Sequence, residues 1–360
     1  MPRIYDHMNK EIKIGSHVIA KDMPTYIIAE MSGNHNMEFE RAKKIIDAAA
    51  EAGADAIKIQ TYTPDTITID CSDDIFKTQS KIWEGMTLYQ LYQKAYTPWE
   101  WQEELRDYAL NLGLDFFSSP FDLTAVDFLE KMCVPAYKVA SFEINDIPLI
   151  RKIAETGKPI IISTGIAYLE DIDLAVRTCR EAGNDNVILL KCVSAYPAPY
   201  KEMNLKVIPN MAQTFECITG LSDHSLGSET AIASVALGGK VIEKHLTLKR
   251  SDGGPDACFS MEPEEFQAMV KQIRNVEKAL GTATYDLNEK QIENRDGARS
   301  LFVVQDIKKG ETFTAENVRS IRPNVGLHTK YFEQVLGKKA NSDLKKGTPM
   351  DWKYIEFEGD

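Results

Sequence analysis

Two short apolar runs end in groups that bind cations. Thr219-Gly220-Leu221-Ser222-Asp223-His224-Ser225 closes on serine, aspartate and histidine, and Val241-Ile242-Glu243-Lys244-His245 closes on glutamate, lysine and histidine. In an extended strand side chains alternate between faces, so Ser222 and His224 share one face, and Glu243 and His245 share another. Imidazoles at the ends of two neighbouring strands can hold one divalent cation. Two protein ligands leave coordination positions open, as a catalytic metal requires and a structural one does not. Two polar strand-end histidines, each satisfied by a hydrogen bond, would leave the same trace, so the surroundings decide.

The elements that would carry these groups form a rhythm. Glu11 to Gly15 and His17 to Ala20 read as an N-terminal hairpin. Strands follow at Tyr26–Glu30, Ala56–Gln60, Asp115–Ser118, Ala136–Ala140, Ile160–Ser163, Val187–Lys191, 219–222 and 241–245. Helical periodicity fills the gaps near Phe39–Ala52, Pro98–Leu112, Leu123–Met132, Ile147–Glu155, Leu169–Ala182, Ser228–Leu237 and Pro263–Leu280, with glycine repeatedly just past a helix end. A long insertion follows the second strand. Unbroken apolar strands are buried on both faces. Eight βα units over roughly 255 residues predict a (β/α)8 TIM barrel, with an open doubly wound sheet as the alternative.

Each predicted strand ends in polar residues, at the end of a barrel where active sites lie. These endings include Glu30, Lys58 with Gln60, Ser119, Lys138 followed by Ser141 and Glu143, Ser163, and Lys191 followed by Ser194. Burying polar groups on all eight strands for stability alone would be unfavourable. Strand parity sends Lys58, Lys138 and Lys191 into the mouth and turns Lys244 the other way, into a structural ion pair. Three ammoniums, the hydroxyls of Ser119, Ser141, Ser163, Ser194 and Ser222, and a two-histidine metal suit a small, multiply charged anion carrying phosphate. Serine is also an ordinary turn residue; its recurrence at corresponding strand ends favours the cradle. Glu30, Glu143 and Asp256 are the candidate carboxylates. Asp256 lies in a Gly-Gly-Pro-Asp loop, where it could approach the metal or simply make a turn. His35 is read as shaping the first βα loop.

Bulk properties narrow the class. The chain has 360 residues, 43% hydrophobic and 27% charged, with a formal net charge of −12. That charge argues against nucleic acid. No apolar run approaches the ~20 residues of a membrane span. The charged stretch from Met1 to Lys21 has no signal-peptide core, and the six cysteines show no CxxC pair, so the expected compartment is the cytoplasm. The expected domains are a barrel over 1–285, a linker over 286–297 and a small β-rich module over 298–360. That module carries an internal echo, Asp306-Ile307-Lys308-Lys309-Gly310 and Asp343-Leu344-Lys345-Lys346-Gly347, which predicts two similar turns in a pseudo-symmetric fold.

Several stretches together resemble the sialic acid synthase family. They are Ile28-Ala29-Glu30 with Gly33 to Asn36, Gly53 to Gln60, Tyr137 to Ser141, Ile162 to Gly165, Gly220 to Ser225, Glu243-Lys244-His245 and Gly254-Pro255-Asp256. The tail resembles the family's antifreeze-like (SAF, β-clip) domain. Within the family, Gln60 to Asp65, Ala140 to Glu143 and Gly253 to Ser260 look most like the pseudaminic branch, with the legionaminate and neuraminate branches as alternatives.

The resemblance implies condensation of phosphoenolpyruvate with the open-chain aldehyde of an amino sugar, consuming water and releasing phosphate. It places Mn2+ or Mg2+ on His224 and His245. Lys58 and Lys138 lie near the phosphoenolpyruvate carboxylate and reacting atoms, and Ser119, Ser141, Ser163 and Ser194 form its phosphate cradle. Glu30 and Glu143 stand near the reacting carbons and sugar hydroxyls, Asp256 near the metal, and Tyr196 beside the sugar. It also implies a domain-swapped homodimer in which Arg322 reaches the partner's barrel and bonds the sugar's acyl group. On the residues alone, a metal-dependent pyruvate aldolase shares the histidines and carboxylate but needs no phosphate cradle. A non-catalytic scaffold leaves the polar strand ends unexplained.

Overall fold

Aliphatic runs buried on both faces make the parallel strands of the larger unit. The computed structural model describes residues 10–78 and 83–356, and the chain divides into two compact units, residues 1–281 and 282–360. Strands β1 (Ile12–Ile14) and β2 (His17–Ile19) form the N-terminal hairpin. Eight more follow: β3 (Tyr26–Glu30), β4 (Ala56–Thr61), β5 (Asp115–Pro120), β6 (Tyr137–Val139), β7 (Ile160–Ser163), β8 (Val187–Cys192), β9 (Ile218–Asp223) and β10 (Val241–His245). They pair in chain order and β10 closes on β3, giving a complete eight-stranded barrel. The β10–β3 register, Val241 to His245 against Tyr26 to Glu30, excludes the open sheet.

The helices fall where the periodicity placed them. In Phe39–Glu51 the buried positions are Ala42, Ile45, Ile46, Ala48 and Ala49, the stripe of a helix lying on a sheet. The hairpin lies at the N-terminal ends of the strands. His17 Nδ1 is 2.8 Å from Asp115 Oδ2 at the start of β5, and the Tyr26 hydroxyl donates to the same oxygen at 2.9 Å.

Register gathers the polar strand ends at the opposite end. Glu30 is level with Lys58, Gln60 with Ser119, Ser222 with Glu243, and His245 with Glu30. Close approach at β9 needs glycine, because a Cβ on Gly220 would lie 2.0 Å from the Val241 carbonyl oxygen.

The smaller unit has its own core, including Leu301, Val303, Phe313, Val318, Val335 and Met350. Its strands β11 (Ser300–Val303) and β12 (Val318–Ile321) pair antiparallel. The echoed turns embrace each other as the repeat predicted. Lys308 Nζ is 2.8 Å from Asp343 and Lys345 Nζ is 2.7 Å from Asp306. The same aspartates accept from the Lys309 and Lys346 backbone N–H groups.

Lys244 points away from the mouth, as strand parity required. Its ammonium lies 2.8 Å from Asp223 Oδ2, fully buried, and donates to the Ser225 and Gly227 carbonyls at 2.6 and 2.9 Å. Asp223 in turn accepts from the Ser225 and Thr230 hydroxyls. This network clamps the loop that carries His224. Lys244→Met strands a buried carboxylate and should destabilise the fold by about 3–5 kcal/mol. Adding Asp223→Asn should recover part of that loss, with urea denaturation as the measurement.

Candidate active site

The C-terminal strand ends surround a cavity of about 560 Å3, in the range of small-molecule sites. Its foot holds four buried charges. Lys58 Nζ lies 2.6 Å from Glu30 Oε2 and 3.8 Å from Glu243 Oε2, and Lys138 Nζ lies 3.7 Å from Glu243 Oε1. Strands β3, β4, β6 and β10 each contribute one of them. Burial alone would raise Glu243, but Lys138 and Lys58 outweigh it and hold the carboxyl below its ordinary value. Burial raises Glu30 despite its lysine partner, and Glu243 adds to the effect. Burial lowers Lys138, whereas for Lys58 the two glutamates overcome burial and raise it.

Hydroxyls and amides surround these charges. Lys58 donates to Ser119 at 3.1 Å, Ser222 donates to Glu243 at 3.0 Å, and Ser141 accepts from the Gly165 N–H at 2.8 Å. Among the described residues the Ser163 hydroxyl is buried without a hydrogen-bond partner, and the Ser194 hydroxyl is buried beside the Tyr196 side chain. An orphaned hydroxyl in a cavity lined by two ammoniums is what an arriving phosphate or carboxylate would satisfy. A Cβ on Gly165 would come within 2.3 Å of the Ser194 hydroxyl and 2.5 Å of the Ser141 hydroxyl, so glycine keeps this corner open. Gln60 links Glu30 to Ser32 at 3.0 Å each, and Ser32 donates to Asp256 at 2.5 Å.

The two histidines stand side by side, ring centroids 5.2 Å apart, and both line the cavity. His224 Nδ1 lies 3.2 Å from the Val193 carbonyl, which only accepts, so Nδ1 carries a proton. Burial would lower this imidazole, but Cys192 and that carbonyl outweigh it and raise the group above its ordinary value, so a cation binding at Nε2 would displace a proton. Among the described residues His245 Nδ1 is buried without a partner, and burial, aided by the charge on His224, holds its imidazole well below its ordinary value. Two such rings fit a divalent cation with positions to spare. Among the described residues no set of three or more histidine, cysteine or carboxylate side chains converges as a metal site.

The NeuB family profile matches residues 45–285 and the SAF domain profile residues 298–356. The chain belongs to the NeuB family. It is similar to the pseudaminic acid synthase of Campylobacter jejuni subsp. jejuni serotype O:23/36, 47% identical over 329 residues, covering 91% of this chain and 96% of that protein. The pseudaminic acid synthase of Helicobacter pylori is 45% identical over 334 residues, covering 92% and 98%. The solved N-acetylneuraminic acid (sialic acid) synthetase from Leptospira borgpetersenii, in complex with citrate, matches with a TM-score of 0.71 at 31% identity, covering 81% of this chain and 96% of that one. NeuB synthases generally depend on a metal ion.

Most residues singled out from the sequence of this NeuB member meet in one place. Glu30, Lys58, Lys138, Ser141, Glu143 and Ser163 line the cavity, as do Tyr196, Ser222, His224, His245 and Asp256. Ser119 and Ser194 are not among the lining residues; the Ser119 hydroxyl accepts from lining Lys58, and the Ser194 hydroxyl lies against Gly165. Lys191 does not join them: it is half-buried and donates to the Cys192 carbonyl at 2.8 Å. Strand β8 runs one residue further than expected, and Cys192 takes the inward position. Arg322 is exposed in the smaller unit, directly after β12. His35 is buried against Thr97 and accepts from the Met37 N–H, which shapes its loop. Sequence reading missed the wall made by the insertion, including Tyr62, Trp83, Leu91 and Tyr92, although the insertion's length after β4 was its signal.

Among the described residues one carboxylate oxygen of Glu143 is buried without a partner, and burial, against the pull of Lys138, lifts this group to about 7. The folded carboxyl then keeps its proton where the unfolded chain has lost it. Its contribution to stability is present at low pH and is lost as pH rises through about 7. Between pH 5 and 8 the parent should lose on the order of 2 kcal/mol more than Glu143→Gln. Parallel urea curves for the two proteins across that range would remove the assignment.

Proposed function

We propose that the chain condenses phosphoenolpyruvate with 2,4-diacetamido-2,4,6-trideoxy-L-altrose and water to give pseudaminic acid and phosphate. The observation that carries this reading is 47% identity across 91% of the chain to a pseudaminic acid synthase. The foot of the cavity supports it: two ammoniums and the orphaned Ser163 hydroxyl line the space a phosphorylated carboxylic acid would occupy.

In this reading C3 of phosphoenolpyruvate donates its π-electron pair to the aldehyde carbon, and the aldehyde oxygen takes a proton. Water adds at the cationic C2 and loses a proton, and the tetrahedral carbon then expels phosphate as the ketone forms. Lys58 and Lys138 pair with the carboxylate and phosphate. Ser119, Ser141, Ser163, Ser194 and Ser222 complete the cradle. Glu30 and Asp256 would move the water and alcohol protons, and Glu143 and Tyr196 would contact the sugar. A divalent cation, Mn2+ or Mg2+, held by His224 and His245 would supply Lewis acidity toward the aldehyde oxygen. The working unit is a homodimer in which the partner's tail delivers its arginine, equivalent to Arg322, to the sugar's acyl group.

Phosphate release measured with phosphoenolpyruvate and a panel of open-chain amino sugars tests the reading. Condensation without phosphate release would identify an aldolase instead. His224→Ala and His245→Ala should each lower kcat by about 10³-fold, the scale of several kcal/mol of charge stabilisation. Unchanged turnover in both would remove the cation from this site. Arg322→Ala should fold and dimerise but lose about 2 kcal/mol of sugar recognition, roughly 30-fold in kcat/KM. Equal sugar kinetics in variant and parent would rule out the arginine in trans.

A further inference from the structure

The cavity has two unlike halves. Its foot is ionic, while the facing wall comes from the chain between β4 and the helix Trp99–Asn111. In that chain the helix Leu88–Ala95 turns Leu88, Leu91, Tyr92 and Ala95 to the cavity. Those positions are i, i+3, i+4 and i+7, the apolar stripe that a surface helix ordinarily buries against the core. Here the stripe borders an open space.

The wall is also held firmly. Thr87 caps the helix by accepting from the Gln90 N–H at 3.2 Å. The Tyr62 ring meets Tyr92 edge-on at 5.6 Å and Phe121 at 5.1 Å. The Trp83 indole N–H donates to the Pro255 carbonyl at 3.0 Å, tying the segment across to the loop after β10. A sugar hydroxyl pressed against Leu88, Leu91 or Ala95 loses water and finds no partner on those side chains, whereas a methyl group is favoured there; Tyr92 adds its ring face to the same surface and carries the stripe's one hydroxyl.

We propose that the stripe Leu88, Leu91, Tyr92 and Ala95 is the sugar-selecting surface. It receives methyl groups, either on a 6-deoxy carbon or on the N-acyl arms, and disfavours analogues that place a hydroxyl or a free amine there. The inference rests on the functional reading above and adds to it the means by which a deoxygenated, acylated sugar is chosen. One methyl-sized difference in an apolar pocket is worth about 10–200-fold in kcat/KM.

The test compares kcat/KM for the 2,4-diacetamido-6-deoxy sugar with that for its 6-hydroxy and 4-amino analogues, in the parent, Leu91→Ala and Leu88→Asn. Leu88 is only partly buried, so its variant guards against misfolding of the first. Both variants should narrow the preference against at least one analogue by about 10-fold or more, with the KM for phosphoenolpyruvate unchanged. If the parent is active and neither preference moves in either variant, the stripe does not select the sugar. If the parent releases no phosphate with any of the three sugars, the functional reading fails and the stripe's role falls with it.

Discussion

Four charges buried within reach of one another at the foot of the barrel constrain everything above them. Lys58, Lys138, Glu30 and Glu243 are each no more than 4% exposed. Ions this deep persist only when paired. Glu30 and Lys58 pair across the neighbouring strands β3 and β4, but Glu243 reaches both lysines from β10, so the full network exists only if the barrel closes and each strand keeps its register. A slip of one residue in β4 would turn Lys58 toward the helices and leave Glu30 uncompensated. Buried ion networks contribute little net stability against apolar residues of similar size. Their presence therefore points to work on a charged ligand rather than to holding the fold together.

The same strands separate chemistry from support by alternation. Glu243 and His245 face the cavity, and Lys244 between them faces outward to Asp223. Asp223 likewise stands between inward Ser222 and His224. The outer pair fixes the turn from which His224 projects, and the Val193 carbonyl and neighbouring Cys192 fix its ring from the inner side. Damage to the outer pair is thus expected to reach the histidine through the backbone.

Much of this was readable in the sequence because both signals are periodic. Unbroken apolar runs set the eight strands, and period-two parity assigned Lys58, Lys138, Glu243 and Lys244 to the correct faces. Parity failed at Lys191, where the strand continues to Cys192 and the thiol takes the inward place. A cysteine in an apolar run reads as core, and nothing in its spacing marks it as lining a site. The wall failed for a related reason. Leu88, Leu91, Tyr92 and Ala95 show helical periodicity, but periodicity tells that a stripe is covered, not whether by protein or by ligand. The echoed Asp-x-Lys-Lys-Gly turns predicted symmetry, and the reciprocal Lys308–Asp343 and Lys345–Asp306 pairs supply it.

Foot and wall answer to different constraints. The foot is built on strand ends, so each of its residues is bound to the register of the whole barrel and tolerates little change. The wall hangs on an insertion secured at a few points, among them the Trp83 bond to Pro255, the Thr87 cap and the Trp99 indole bond to the Tyr62 carbonyl at 3.1 Å. Substituting Leu88 or Leu91 alters the surface presented to a ligand without moving a strand. A scaffold arranged this way can keep one bond-forming chemistry while its choice of sugar varies. The two properties meet at the cavity, but they are set by residues that do not share a strand, a register or a core.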